Sequence, residues 1–145
     1  MRSMTHYRIS EAAELLGVSD DTVRRWVDAG TLTGDHDDAG RRVVDGAELA
    51  EFARDRAREI PDPAGVAGIG SSARNRFVGL VTHVIADTVM AQVELQCGPH
   101  RCVSLMSSEA VRELGLEPGV LAVAVIKATH VIVETPRREQ PVVAA

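Results

Sequence analysis

Two different periodicities divide the 145-residue chain. Up to about residue 58 the apolar side chains recur at spacings of three and four. Ala12, Leu15 and Leu16 follow this rule, as do Val23, Trp26 and Val27, and then Leu49, Phe52 and Ala53. Each set lines one face of an amphipathic helix. Ser10 stands before the first helix as its N-cap and Gly17 ends it, while Ser19 caps a second helix, Asp20 to Ala29, that Gly30 closes. From Phe77 onward the pattern changes to short runs rich in Val and Ile with turn residues between several of them. Phe77 to Ile85, Val89 to Cys97, Arg101 to Met106, Val120 to Ile126 and His130 to Glu134 predict five strands. Ser107 to Gly115 reads as one capped helix between the third and fourth strands, and Glu117-Pro118-Gly119 as a tight turn.

Between the two patterns lies Ile60 to Ser71, with two prolines and three glycines in twelve residues. Such a segment holds neither helix nor strand. As a flexible coil it would span about 19 Å. The expected organisation is therefore a helical head over residues 1–59, a linker over 60–71, a β domain over 72–134 and a flexible tail over 135–145. Two short helices joined by Gly17-Val18-Ser19 make a helix-turn-helix, and five strands with one helix make a small OB-like barrel. The class is α+β, in two domains.

Composition narrows the partners. The apolar run Val120 to Val125 falls far short of the ~20 residues a bilayer span needs, and the first residues lack the apolar core of a secretory signal, so a cytoplasmic protein is expected. Two cysteines, Cys97 and Cys102, are expected as free thiols in that compartment. Cys97, His100 and Cys102 lack a fourth ligand and fit no standard zinc spacing, so no metal site is expected. Nor do a nucleophile with its base, paired catalytic carboxylates or a phosphate-binding glycine loop stand out, so an enzyme is not expected. The net charge of −5, from 16 basic and 21 acidic residues, leaves any nucleic-acid contact to a local patch.

On the second helix, Thr22, Arg24 and Arg25 lie off the Val23/Trp26/Val27 stripe and project outward, as contact residues of a recognition helix do. A helix N-terminus carrying Ser19 and Thr22 can hold phosphate, and an arginine fork fits guanine or phosphate. The plainer alternative is a solvated face whose arginines pair with Asp21 and Asp28. The run from Tyr7 to Leu32, YRISEAAELLGVSDDTVRRWVDAGTL, resembles the winged helix-turn-helix of MerR-like and excisionase-like proteins. That resemblance implies a wing from Leu32 to Val44 turning at Asp37 to Gly40, a supporting helix from Gly46 to Arg58, and Arg41 and Arg42 as wing arginines that reach the DNA backbone. Asp35-His36-Asp37-Asp38 departs from the basic and small residues usual at the wing tip and would repel phosphate. The long dimerisation helix of true MerR regulators is also missing, so any dimer is built elsewhere.

In the second half, Ser72-Ala73-Arg74-Asn75 leads into the first strand and Lys127-Ala128-Thr129 separates the last two. Neither segment contains a carboxylate. A tetrahedral dianion needs donors only, and these segments supply hydroxyls, backbone N–H groups, a guanidinium and an ammonium. On composition alone the plainer reading, a strand end with a solvated Arg and an exposed Lys, is the favoured one. Ser72 to Gly79, Ser107 with Leu114 to Gly119, and Ile126 to Thr129 are similar to the Mop or TOBE domain of molbindins and molybdate-responsive regulators. This implies a molybdate or tungstate site between subunits, with Ser72 to Asn75 from one chain and Lys127 to Thr129 plus Ser107 from the neighbour, and no organic cofactor. One such unit per chain favours a hexamer of three dimers over a dimer. The expectation is a transcriptional regulator that binds double-stranded DNA and senses the oxyanion. The alternative is a molybdate storage protein whose helix-turn-helix serves assembly.

Overall fold

The computed structural model describes residues 5–58, 65 and 70–136. The chain divides into two compact units, Met1–Pro61 and Asp62–Ala145. Most of the expected linker and tail lies outside the described residues.

The first unit opens with strand β1 (His6–Arg8) and helix α1 (Ile9–Leu16). Arg8, not Ser10, is the N-cap: the Glu11 carboxylate accepts the Arg8 backbone N–H at 2.8 Å and its guanidinium at 3.3 Å, closing the first turn. The same backbone N–H, more than the guanidinium, holds the Glu11 carboxyl below its ordinary pKa. Starting the helix at Ile9 shifts its apolar stripe to Ile9, Ala12, Ala13 and Leu16, so Leu15 is 65% exposed instead of facing the core. Helix α2 (Asp20–Asp28) is capped by Ser19, whose Oγ accepts the Thr22 N–H at 3.2 Å. Its buried side is Val23 and Val27, and Trp26 is half-buried against Phe52, with ring centroids 4.9 Å apart.

Strands β2 (Gly34–His36) and β3 (Arg42–Asp45) form the expected wing hairpin, and helix α3 (Gly46–Arg58) follows. Strand β1 pairs with the other edge of β3, giving the order β1-β3-β2. Three residues are too short to show a period, so β1 was not legible from the pattern. Leu32, Val44 and Leu49 join the α1 and α2 residues in one core, and the Arg56 guanidinium sits 4.8 Å above the Trp26 ring.

The second unit consists of β4 (Asn75–Ala86), β5 (Met90–Cys97), β6 (His100–Ser107), helix α4 (Ser108–Leu114) and β7 (Leu121–Ile126). All pairings are antiparallel, in the order β6-β5-β4-β7. The Asp87 carboxylate accepts the Val89 and Met90 N–H groups at 2.8 Å and so shapes the β4–β5 turn. Those two bonds also lower its pKa. Ser107 caps α4 by accepting the Ala110 N–H at 3.1 Å. Glu117 accepts the Val120 N–H across the expected tight turn, where Gly119 takes φ 94°. Val81, Ala91, Val93, Leu95, Cys97 and Val111 make the core.

The fifth strand is absent. Ala128–His130 forms a single 3-10 turn, and residues 131–136 have no regular structure. Apolar residues at strand density need a ladder partner to become a strand, and residues 131–133 pair with neither of the sheet's free edges, β6 and β7. Val131, Ile132 and Val133 are left 43%, 86% and 83% exposed. With four strands the sheet stays open between its edges, β6 and β7, around an apolar groove of about 500 Å³ lined from β6 by Cys102 and Met106 and from β7 by Leu121 and Val123.

Candidate functional site

The β4–β7 register sets Asn75 opposite Ile126, so the chain entering β4 and the chain leaving β7 share one end of one ribbon. Asn75 clamps them there, its Nδ2 donating to the Ile126 carbonyl at 3.1 Å. Ahead of it, Ser71 Oγ accepts the Ala73 N–H at 3.1 Å and the Ser71 carbonyl accepts Arg74 Nη1 at 2.9 Å, which folds Arg74 back over a tight turn. Ser71 was not singled out from the sequence, although its place beside Ser72 at the head of the motif was the available signal. Beyond β7, the Lys127 carbonyl accepts the His130 N–H at 2.9 Å, making the turn that carries Ala128 and Thr129. Ser72, Arg74, Lys127 and Thr129 are exposed. Two donor-bearing turns free of carboxylates are thus brought side by side within one chain, where the resemblance implied one from each of two chains.

Ser107 does not join them. It faces Met90 across β5–β6, beside the end of β4 where Ala86 pairs with Ala91, eleven positions along the strand from Asn75. Within one chain Ser107 and Lys127 thus lie at opposite ends of the sheet, although the resemblance implied that one neighbouring chain supplies both. Ser107 Oγ, spent as an acceptor on the α4 cap, still has its O–H to donate.

In the first unit, Ser19, Thr22, Arg24 and Arg25 lie on or before the first turns of α2. Ser19 Oγ and Thr22 Oγ1 are 2.9 Å apart, and Arg25 Nη2 donates to Thr22 Oγ1 at 3.3 Å. Arg24 pairs with Asp21 at 2.9 Å. Asp28, which the sequence offered to the helix arginines, is instead paired at 2.9 Å with Arg42 from the wing strand β3. At the wing turn, Arg41 donates both its backbone N–H and its Nε to Asp37, each at 2.9 Å. The backbone bond is the larger cause of a lowered Asp37 pKa.

A TOBE domain model matches residues 71–133, and a helix-turn-helix domain model matches residues 7–57. Molybdenum-pterin-binding proteins 1 and 2 of Clostridium pasteurianum are each 36% identical to this chain over 63 residues, which is 43% of this chain and 93% of theirs. The chain belongs to the TOBE-domain family. A solved molybdate-binding protein from Sporomusa ovata is similar at 28% identity over 46% of this chain and all of its own length, with a TM-score of 0.45. The matched TOBE domain begins at the Ser71 turn and runs past Thr129, so it contains both donor segments.

Within the TOBE domain the two cysteines are free thiols. Cys97 is buried, and burial, reinforced by the Cys102 thiol beside it, pushes its pKa up. His100 is exposed at the hairpin. Among the described residues no three His, Cys, Asp or Glu side chains gather as metal ligands, and no helix is long and apolar enough to cross a membrane.

Proposed function

We propose that the TOBE domain binds molybdate or tungstate where copies of the chain meet, and that the helix-turn-helix head binds double-stranded DNA, making the protein a cytoplasmic, non-enzymatic transcriptional regulator without an organic cofactor. The observation that carries the anion reading is the Asn75–Ile126 clamp. It sets Ser72, Ala73, Arg74 and Asn75 beside Lys127, Ala128 and Thr129. Hydroxyls, backbone N–H groups and two fixed positive charges suit a tetrahedral dianion, which has acceptors only. The relatives' names, which speak of molybdenum-pterin and molybdate binding, support the choice of ion.

Assembly is supported by apolar surface that one chain leaves uncovered. On the outward side of the β4–β7 ribbon, Val78, Leu80, Leu121, Val123 and Val125 follow one another, while Gly79 and Ala122 face the core from the other side. A ribbon apolar on both faces is built to be covered on both. With the open β6–β7 seam and the unpaired 131–133 segment, this supports a homo-oligomer, and we favour a hexamer of three dimers. Ser107 from a second chain completes the donor set. The fragment from residue 70 onward is expected to form the native oligomer, and residues 1–60 alone to be monomeric. Light scattering on both checks this, and a monomeric C-terminal fragment would contradict the interface site.

One observation favours a second reading, molybdate storage with the helix-turn-helix serving assembly: the wing arginines are paired with carboxylates of their own unit. Gel shift on genomic fragments separates the two, since a regulator forms a specific complex and a storage protein forms none even at low salt. Arg25→Ala is expected to weaken that complex and leave the fold and anion affinity intact. Trp26→Ala is expected to destabilise the head by about 3 kcal/mol, the low end for a large aromatic because Trp26 is only half-buried. Wild-type DNA binding by Arg25→Ala would show that the reading face is misassigned.

A further inference from the structure

Three of the four head arginines placed at DNA end on carboxylates of their own unit. Arg24 meets Asp21 one helical turn away, Arg41 meets Asp37 across the wing turn, and Arg42 reaches from β3 to Asp28 at the end of α2. Arg25 differs, because its partner is the Thr22 hydroxyl. A hydroxyl leaves the guanidinium charge uncompensated, whereas a carboxylate at 2.9 Å neutralises it locally and repels an approaching phosphate. The Asp37 carboxylate is fixed in place by the backbone N–H groups of Ala39 and Arg41, so it cannot swing away when DNA arrives. The Arg42–Asp28 pair spans two elements, wing strand and recognition helix, and holds Arg42 against α2.

We propose that Asp28 and Asp37 limit the DNA affinity of the head. They occupy Arg42 and Arg41, the wing's phosphate contacts, and leave Arg25 as the uncompensated charge on the reading face. A single head then binds DNA weakly, and a stable complex requires several heads carried by one assembly, whose linked contacts multiply. This rests on the DNA-binding reading above and specifies how that binding is regulated: by the number of heads joined together.

Asparagine at position 37 keeps an oxygen to accept the Ala39 and Arg41 backbone N–H groups, so the wing turn survives the test, and at either position it removes the charge that neutralises the arginine. Full-length wild type, Asp28→Asn, Asp37→Asn, the double variant and Glu51→Gln are titrated against a fluorescent mixed-sequence DNA duplex between about 50 and 200 mM salt. Glu51 is exposed on α3, and its substitution makes the same change in net charge as either single variant without releasing either arginine. The double variant is expected to bind about tenfold tighter than wild type, with a salt dependence steeper by about two phosphate contacts. Glu51→Gln is expected to stay within about twofold of wild type. Single variants Asp28→Asn and Asp37→Asn that are both no tighter than Glu51→Gln, in a protein whose wild type does bind, overturn the inference alone. No binding by any of the five at the lowest salt overturns the inference together with the regulator reading.

Discussion

Gly79→Ala is expected to destabilise the TOBE domain by about 3 kcal/mol or more, the upper range for overpacking a tight core. Gly79 is buried in β4, directly opposite Ala122 of β7. A Cβ there would lie 2.5 Å from the Gln96 carbonyl oxygen, 2.9 Å from the Gln96 carbonyl carbon and 2.6 Å from Cys97 Sγ. The first two atoms are backbone of the neighbouring strand β5 and cannot move without opening the β4–β5 ladder. Cys97→Ala in the same background is therefore not expected to rescue the fold, because the carbonyl clash remains. Urea unfolding followed by circular dichroism checks this. The transition of the TOBE domain should move to lower urea, and that of the head, a separate compact unit, should stay in place. An unshifted TOBE transition would mean that β4 and β5 tolerate a separation this register does not provide.

Gly79 also shows what the sequence could and could not convey. Its position at the end of the Ser72 to Gly79 motif was visible, but the reason for it, an approach of β5 close enough to forbid a methyl group, belongs to the packed sheet. Helices α2 and α4 were legible because Ser19 and Ser107 announce their starts and Gly30 and Gly115 their ends. Helix α1 was placed two residues late because the decisive bond, Arg8 N–H to Glu11, pairs a residue with no capping preference to a carboxylate three positions on. The 131–133 segment failed as a strand for another reason. Local pattern records that residues can pair but not whether the fold brings them to a free edge, and within one chain residues 131–133 pair with neither β6 nor β7.

The candidate sites divide along the same line. Placing Ser72 to Asn75 beside Lys127 to Thr129 follows from strand pairing, which the five predicted strands left open. The separation of Ser107 from Lys127 follows from the same register. In the head, the sequence supplied the arginines and the acidic wing tip, and their pairing required the β3–α2 approach that brings Arg42 to Asp28.

Lys127→Ala is expected to cost roughly 30-fold or more in molybdate affinity, as removal of one charged donor from a desolvated site does. Lys127 is exposed in the single chain, so under the proposed assembly its energetic weight arises when a second chain covers the site. The fold is not expected to suffer. Lys127 follows β7 outside the core, and removing its ammonium relieves repulsion with Arg74 in an empty site. Sulfate is also a dianion but has shorter bonds to oxygen, so a rigid interface cavity sized for molybdate or tungstate cannot close on it equally well. The most direct test is calorimetry of the full-length wild type and Lys127→Ala with molybdate, tungstate and sulfate. The account predicts tight binding of molybdate and tungstate by the wild type, weaker binding of sulfate, and the stated loss in the variant with an unchanged oligomer. Equal molybdate affinity in the two proteins, or sulfate bound as tightly as molybdate, would contradict it.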